Sequence, residues 1–369
     1  MSTSSWLAFL PRDTVFVRDG RPFDAASDAL AQTVWPGPTT IAGAVGAAFG
    51  GNPDEVRGPV LARRGRSGWE PYFRAPADLV VTQDRDRPRR VFRLTPAEPA
   101  GQTDLHETAA SRTGGSALRL LVPAGDAEFA GPVEPLRGWI PGHVLAEYLA
   151  GRLPAPEGTP LRGFEPLMRG EELAEPLLPE RRVGLAREDR SARAGYLYQA
   201  AHLRPDGDWA FLAEITAPAG WSRPAADHIP FGGRGRLADV RPAALRWPAS
   251  GVGEDETRVL VYLATPAVWP DGWRMPVPDG AGLAAAASGD PEPAATVKRE
   301  QGRAWRDSRA LRWAVPAGSV YLLEFGDGEA GAAWARTWHG TALDRGGTPP
   351  DEDLLRTAGF GVVLTGAWT

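Results

Sequence analysis

Hydrophobic spacing in the first fifty residues changes period once. Trp6 to Leu10 and Thr14 to Val17 are short apolar, β-branched or aromatic runs broken by Pro11, so they read as one interrupted strand or two short ones. Past Trp35-Pro36-Gly37-Pro38-Thr39-Thr40, the apolar positions Ile41, Val45, Ala48 and Phe49 stand at i, i+4, i+7 and i+8. That is one helix face, and Gly50-Gly51 ends it. A second helix is expected from His143 to Ala150, where Val144, Leu145, Tyr148 and Leu149 share a face between Gly142 and Gly151.

From Arg181 the period shortens to two. Val183 and Leu185 alternate with polar neighbours, Glu188 to Ala194 is a polar tip, and Tyr196 to Leu203 resumes, which predicts a long hairpin. Trp209, Phe211, Ala213 and Ile215 alternate strictly as a further strand. A glycine loop, Phe231-Gly232-Gly233-Arg234-Gly235-Arg236, then leads into a strand ending near Val240. The last third repeats the grammar: strands over Arg258 to Ala264 and Ser319 to Phe325, a short helix over Asp351 to Thr357, and a closing strand from Phe360 to Trp368. Val277 to Ala295, rich in Ala, Gly and Pro, is expected to be a partly mobile insertion.

Strand-helix-strand-strand-helix-strand, used twice, predicts an α+β fold: two ferredoxin-like (RRM-like) βαββαβ modules with Gly-rich loops and an extended β-hairpin insertion. Pro248, Gly251, Gly253 and an acidic cluster break both periods, which puts an N-terminal domain at residues 1–250 and a C-terminal one at 255–369.

Composition narrows the function. The chain has 369 residues, 43% hydrophobic and 24% charged, an ordinary globular balance. No apolar run approaches the roughly 20 residues of a bilayer span, and no basic-then-apolar leader opens the chain, so a cytoplasmic protein without membrane contact is expected. The absence of cysteine excludes disulfides, thiolate metal sites and cysteine nucleophiles. The one lysine, Lys298, follows no glycine loop, which excludes a Walker A site. His106, His143, His202, His228 and His339 lack the spacing of a zinc helix. Gly233 to Ala238 fits G-x-G-x-x-A formally but opens no helix, because Pro242 arrives too early. Neither a catalytic constellation nor a metal or cofactor site is expected.

Arginine placement says more than net charge. The formal charge is −5, yet Arg57 to Arg93 is net plus six, while Arg181 to Arg193 and Arg223 to Arg246 are each plus three. Concentrated basic stretches on an acidic body suit an anionic polymer. The same arginines also suit solvated loops. In the hairpin and glycine loop, glycines let backbone N–H groups approach phosphates while Arg forks grip them. Pro38, Thr39 and Thr40 at the start of the first helix form a phosphate seat or a plain N-terminal cap. Tyr196, Tyr198 and Phe231 are candidates for stacking a base or for the core.

These residues resemble a known family. Phe9-Leu10-Pro11-Arg12-Asp13, Arg18-Asp19-Gly20-Arg21-Pro22-Phe23-Asp24, Trp35-Pro36-Gly37-Pro38-Thr39 and Ile41-Ala42-Gly43-Ala44 look like the opening signature of the third subunit of Cmr-type (type III-B) CRISPR effector complexes, in the RAMP superfamily. Arg182-Val183-Gly184-Leu185, Gly195-Tyr196-Leu197-Tyr198, Phe231-Gly232-Gly233, Ala314 to Tyr321 and Gly359-Phe360-Gly361 with Gly366-Ala367-Trp368 follow in the same order. The resemblance implies a non-catalytic RNA-binding subunit of an antiviral ribonucleoprotein. Such a subunit holds the 5′ tag of the guide RNA (crRNA) and contacts the large polymerase-like subunit and backbone RAMP subunits. Carried onto this chain, the RNA-binding candidates are Pro38, Thr39 and Thr40; Arg181, Arg182, Arg187, Arg190 and Arg193; and Gly232, Gly233, Arg234, Gly235 and Arg236. Two positions depart from the family pattern: Gly46 replaces a frequent basic residue, and Arg234 a frequent acidic one.

Two rivals remain. A metal-independent guide-processing endoribonuclease of the same superfamily would use His143, His202 or His228 as general base. A carbohydrate-binding β module would draw on the 14 Trp.

Overall fold

Strands of this chain are apolar at both parities, and such a strand must be covered on both faces. The computed structural model, which describes residues 3–18, 30–31, 33–83, 88–97, 118–123, 132–218, 220–221, 224, 227–297, 309–343 and 355–368, achieves this by stacking two antiparallel sheets. The first half carries β1 (Thr3–Pro11), α1 (Pro38–Phe49), β2 (Glu55–Arg64), β3 (Trp69–Arg74), β4 (Trp139–Pro141), α2 (Gly142–Leu149), β5 (Leu177–Glu188), β6 (Ser191–Pro205), β7 (Trp209–Ala217), β8 (His228–Pro230) and β9 (Leu237–Ala243). The second carries β10 (Arg258–Leu263), β11 (Ala281–Ala287), β12 (Glu292–Val297), β13 (Arg309–Ala314), β14 (Val320–Phe325), α3 (Gly328–Trp338), β15 (Thr341–Ala342) and β16 (Val362–Ala367).

Side-chain parity assigns the layers. In β1, Leu7 and Phe9 face α1 and pack with Phe211, Val240, Ile41 and Val45. Trp6 and Ala8 face the other way, into a core shared with Leu260, Tyr262, Leu322 and Leu364 of the second sheet. Leu145, Tyr148 and Leu149 of α2 fill that core. Val259, Val261, Tyr321 and Leu323 line the far face of the second sheet, where Ala335 of α3 closes it. The order of layers is α1, sheet, shared core, sheet, α3.

The first sheet runs β8-β9-β1-β7-β2-β3-β4 and the second β11-β14-β10-β16-β15. Numbering the four central strands of each half by chain order gives 4-1-3-2 in both. The mixed α+β class agrees with the sequence. Among the described residues, however, each half shows one crossover helix where the pattern predicted two. α1 joins the first and second strands of its sheet, α3 the third and fourth of its own, and residues 264–280 are irregular.

Other expectations need correcting. Val277 to Ala295 is no loose insertion: Ala281–Ala287 pairs with β14 along its length, and edge pairing overrides the weak strand preference of alanine. α3 lies where the pattern predicts nothing, started by the Asp327 side chain, which accepts from Ala330 N at 2.8 Å. Residues 355–357 of the expected short helix are helical, while 351–354 lie outside the described residues. So do Asp19 to Asp24 of the opening motif, His106, Arg223 and Lys298.

The stretch Arg57 to Arg93 does not form one basic face. Arg57 pairs with Glu214 and donates to Gly340 O across the halves. Arg93 is buried in the shared core, where its Nε donates to Asp78 at 2.9 Å and Tyr148 Oη donates to the same carboxylate at 2.7 Å. Burial is the main cause that lifts the Tyr148 hydroxyl well above its ordinary pKa, so it stays a donor. Among the described residues no helix is long and apolar enough to cross a membrane.

Candidate nucleic-acid interface

α1 begins without a side-chain cap. Gly37 stands at the cap position in extended conformation, and Pro38 occupies the first turn, where its missing N–H costs nothing. The first-turn amides and the Thr39 and Thr40 side chains border a cleft of about 570 Å³. Trp35, Gly232 and Gly233 line it from the first half, and Pro266, Pro293 and Phe360 from the second. Two of the three sequence-predicted groups, the helix start and the glycine loop, therefore meet at the junction of the halves. The volume falls in the range of small-molecule and nucleotide sites. Trp35 is backed by the Arg74 guanidinium, 5.0 Å from its ring and 4.1 Å from that of Trp139.

The glycine loop is seated on Phe16. Gly233 N–H donates to Phe16 O at 2.6 Å, and a Cβ at Gly232 would lie 2.5 Å from that oxygen. Only a residue without Cβ, here at φ +76°, permits this approach. Phe231 is buried beside Phe9 and Phe211, so it belongs to the core and not to a stacking surface.

The third group, the hairpin, divides by face. Its two-residue turn, Asp189 and Arg190, has both φ positive, at 47° and 67°. Residues of even number in β5 look back to the body. Arg182 donates to Asp13 at 2.9 Å and to Glu180 at 2.7 Å; Arg204 donates to both carboxylates, and Arg236 reaches Asp13 at 2.5 Å. Arg182 and Arg236 are thus engaged by carboxylates and are not open forks. The Arg204 and then the Arg182 hydrogen bonds draw the Glu180 carboxyl down to about 2. Partial desolvation pushes the Asp13 carboxyl up, but the same two arginines hold it below its ordinary value. Odd-numbered residues face out: Arg181 and Arg187 flank Val183, 67% exposed, and Leu185, 47% exposed. Arg187 reaches Arg190 O at 3.4 Å, and Arg193 approaches Glu188 at 3.9 Å. The Tyr196 side chain lies outside the described residues.

The signature pair Arg12-Asp13 organises all this, which the sequence reading missed. Asp13 gathers Arg182, Arg204 and Arg236; Arg12 Nε reaches Asp239 at 2.5 Å, where His228 Nδ1 also lies at 2.9 Å. A Pro-Arg-Asp run at a strand end, with oppositely charged residues in the elements that pair beside it, was the available signal.

Among the rival general bases, His202 is buried against Thr14 and Phe16, and burial, then Arg182, Arg236 and Arg234, lowers its pKa, so it stays neutral. His143 is exposed beside Glu70 and Glu165. Most described tryptophans pack into the cores; Trp273 and Trp313 are exposed. Among the described residues no group of three His, Cys, Asp or Glu could hold a metal ion.

The chain matches the family model of the CRISPR-associated protein Cas_Cmr3 over residues 7–368, and it belongs to that family, the third subunit of type III-B Cmr complexes. No curated protein matches the sequence. Solved structures containing similar chains include the following two. One is a cryo-EM structure of the type III-B Cmr-beta bound to cognate target RNA and AMPPnP, state 1, with 15% identity, TM-score 0.47 and 86% of each chain covered. The other is the Cmr-beta bound to cognate target RNA, with 14% identity, TM-score 0.47, 87% of this chain and 86% of that chain.

Proposed function

We propose that this chain is a non-catalytic RNA-binding subunit that holds the 5′ tag of the guide RNA in the cleft between its halves. It docks the large polymerase-like subunit and the backbone RAMP subunits, in the cytoplasm, in antiviral defence. The observation that carries this reading is the convergence, in a member of this family, of an uncapped helix start and a glycine loop on one cleft. The first-turn amide of Thr39 and the Thr39 and Thr40 hydroxyls, together with the loop amide of Gly232, offer donors to phosphate. Trp35, partly exposed at the cleft, offers a flat face to a base. Arg181, Arg187, Arg190 and Arg193 continue the path along the hairpin. The shared 4-1-3-2 strand order supports reading residues 1–250 and 255–369 as two ferredoxin-like modules. No metal or cofactor enters this reading.

The test is purification of the tagged chain from its host, followed by sequencing of the small RNAs that accompany it and photo-crosslinking with 4-thiouridine placed in the tag. Crosslinks to Trp35 or the Gly232 loop are expected. Tag crosslinks confined to other chains would overturn the reading. One arrangement favours the ribonuclease instead: exposed His228, oriented by Asp239 beside Arg12, has the form of a carboxylate-supported base. Site-specific cleavage of precursor RNA, lost in His228→Ala, would establish it.

A further inference from the structure

We infer that Arg234 is the principal phosphate contact of the glycine loop, and that Tyr198 of the hairpin is the positioning residue that aims it. This rests on the RNA-binding reading above.

Four arginines crowd the base of the hairpin and the loop, and three of them share Asp13 and Glu180. Arg234 stands apart. It is exposed, and its guanidinium lies 5.1 Å from the Phe16 ring centre and 5.0 Å from that of Tyr198. Its Nη2 donates to the Tyr198 hydroxyl at 2.8 Å. No carboxylate is among these contacts. A guanidinium held by aromatic faces and a neutral hydroxyl keeps its charge for an incoming anion, whereas one already bridged to carboxylates has spent much of its field on them.

The backbone fixes this pose from both sides. Arg234 itself has φ +55°, between Gly232 at +76° and Gly235 at +65°, which turns its side chain back over the hairpin base. Tyr198 stands opposite Gly184 in the β5–β6 register, and a Cβ at position 184 would lie 2.4 Å from Tyr198 Cζ and 2.6 Å from its hydroxyl oxygen. The ring therefore lies across a space that only glycine leaves open. Gly184, Tyr198, Arg234 and Phe16 form a chain of contacts through which the docked hairpin sets the direction of a cation on the loop. The departure from the family pattern at Arg234 then has a structural counterpart within the same molecule.

The test uses the full-length chain and a single-stranded RNA oligonucleotide carrying the host's repeat-derived tag, with affinity measured by fluorescence anisotropy across a salt series. Arg234→Ala is expected to weaken binding roughly tenfold and to flatten the salt slope by about 0.7, the increment for one phosphate on a single strand. Tyr198→Phe keeps the ring and removes the acceptor. It is expected to weaken binding severalfold in the native background and to add nothing in Arg234→Ala, with an unchanged melting temperature. Gly184→Ala is expected to follow Tyr198→Phe. Equal effects of Tyr198→Phe in both backgrounds would make Tyr198 an independent contact, and unchanged affinity and slope in Arg234→Ala would remove Arg234 from the interface; either result overturns the inference alone. A native chain that binds the tag no better than a scrambled oligonucleotide overturns the RNA-binding reading itself.

Discussion

Glycine brings backbone close to its neighbours in two regions of this molecule, and what stands opposite differs. At the seam between the halves, Gly251 and Gly366 press on the end of α2: a Cβ on either would lie 2.0 Å and 2.3 Å from Leu149 O. Gly359 meets Val56 O and Gly58 O in the same way, and Gly318 O accepts from Ala77 N at 2.9 Å. These contacts are neutral, and Gly318, Gly359 and Gly366 are buried. At the base of the hairpin, Gly184 and Gly232 make room for Tyr198 and Phe16 O, but the surrounding grip includes a set of half-exposed ion pairs on Asp13 and Glu180. The seam joins two sheets into one core; the hairpin base adds ion pairs to a short backbone bridge, Val15 with Leu203, and to the packing of His202 on Thr14 and Phe16. Steric close-packing is unforgiving, and solvent-screened pairing is adjustable.

The largest effect should therefore come from the seam. Gly251→Ala is expected to destabilise the chain by about 3 kcal/mol, the upper end of overpacking costs, and to lower the melting temperature by several degrees. Gly253→Ala, with nothing within 4 Å of the added carbon, is expected to stay within about 0.5 kcal/mol of the native chain. A native melting curve for Gly251→Ala would mean that the halves are not packed backbone to backbone.

The charged side of the comparison responds to acid. The Glu180 carboxyl, ordinarily near 4.5, titrates at about 2 in the folded chain because Arg204 and Arg182 donate to it. A depressed folded value means that the stabilisation contributed by the Glu180 ion pairs is complete above pH 4.5 and is lost as pH falls toward 2. Hydrogen exchange in β6 should accelerate through that window, and Glu180→Gln should remove most of the change. Seam amides such as Ala77 should hold until global unfolding. Loss of both together in the native chain would deny the hairpin any separate hold.

Much of this contrast is readable in the sequence, for identifiable reasons. The 3.6-residue spacing of Ile41, Val45 and Ala48 and the alternation of Trp209, Phe211 and Ala213 are local patterns, and α1 and β7 follow them. β11 is poly-alanine in character and becomes a strand only because β14 lies beside it. The site was legible as residue types: helix start, glycine loop and hairpin arginines were all named. Their sorting was not, since whether Arg182 is engaged and Arg234 open depends on Asp13, 169 residues from Arg182 along the chain. The seam glycines read as loop punctuation, because the carbonyls they meet come from the other half.

The smallest stability effect tests why α1 and α3 start differently. Asp327 caps α3 from its own side chain, whereas Gly37 caps α1 with none. Steric need does not explain Gly37: its φ of −90° suits any residue, and a Cβ there would meet nothing within 4 Å. Replacing it by a capping residue should raise stability by a few tenths of a kcal/mol. If the open Thr39 amide serves phosphate, that gain comes with lost function. Gly37→Asp should melt slightly higher yet bind the tag oligonucleotide severalfold more weakly, because a carboxylate then occupies the amides and repels phosphate. Gly37→Ala, which adds neither cap nor charge, should bind as the native chain does. Native affinity in Gly37→Asp would assign the uncapped helix start no part in RNA binding and leave the glycine loop and hairpin to hold the tag without it.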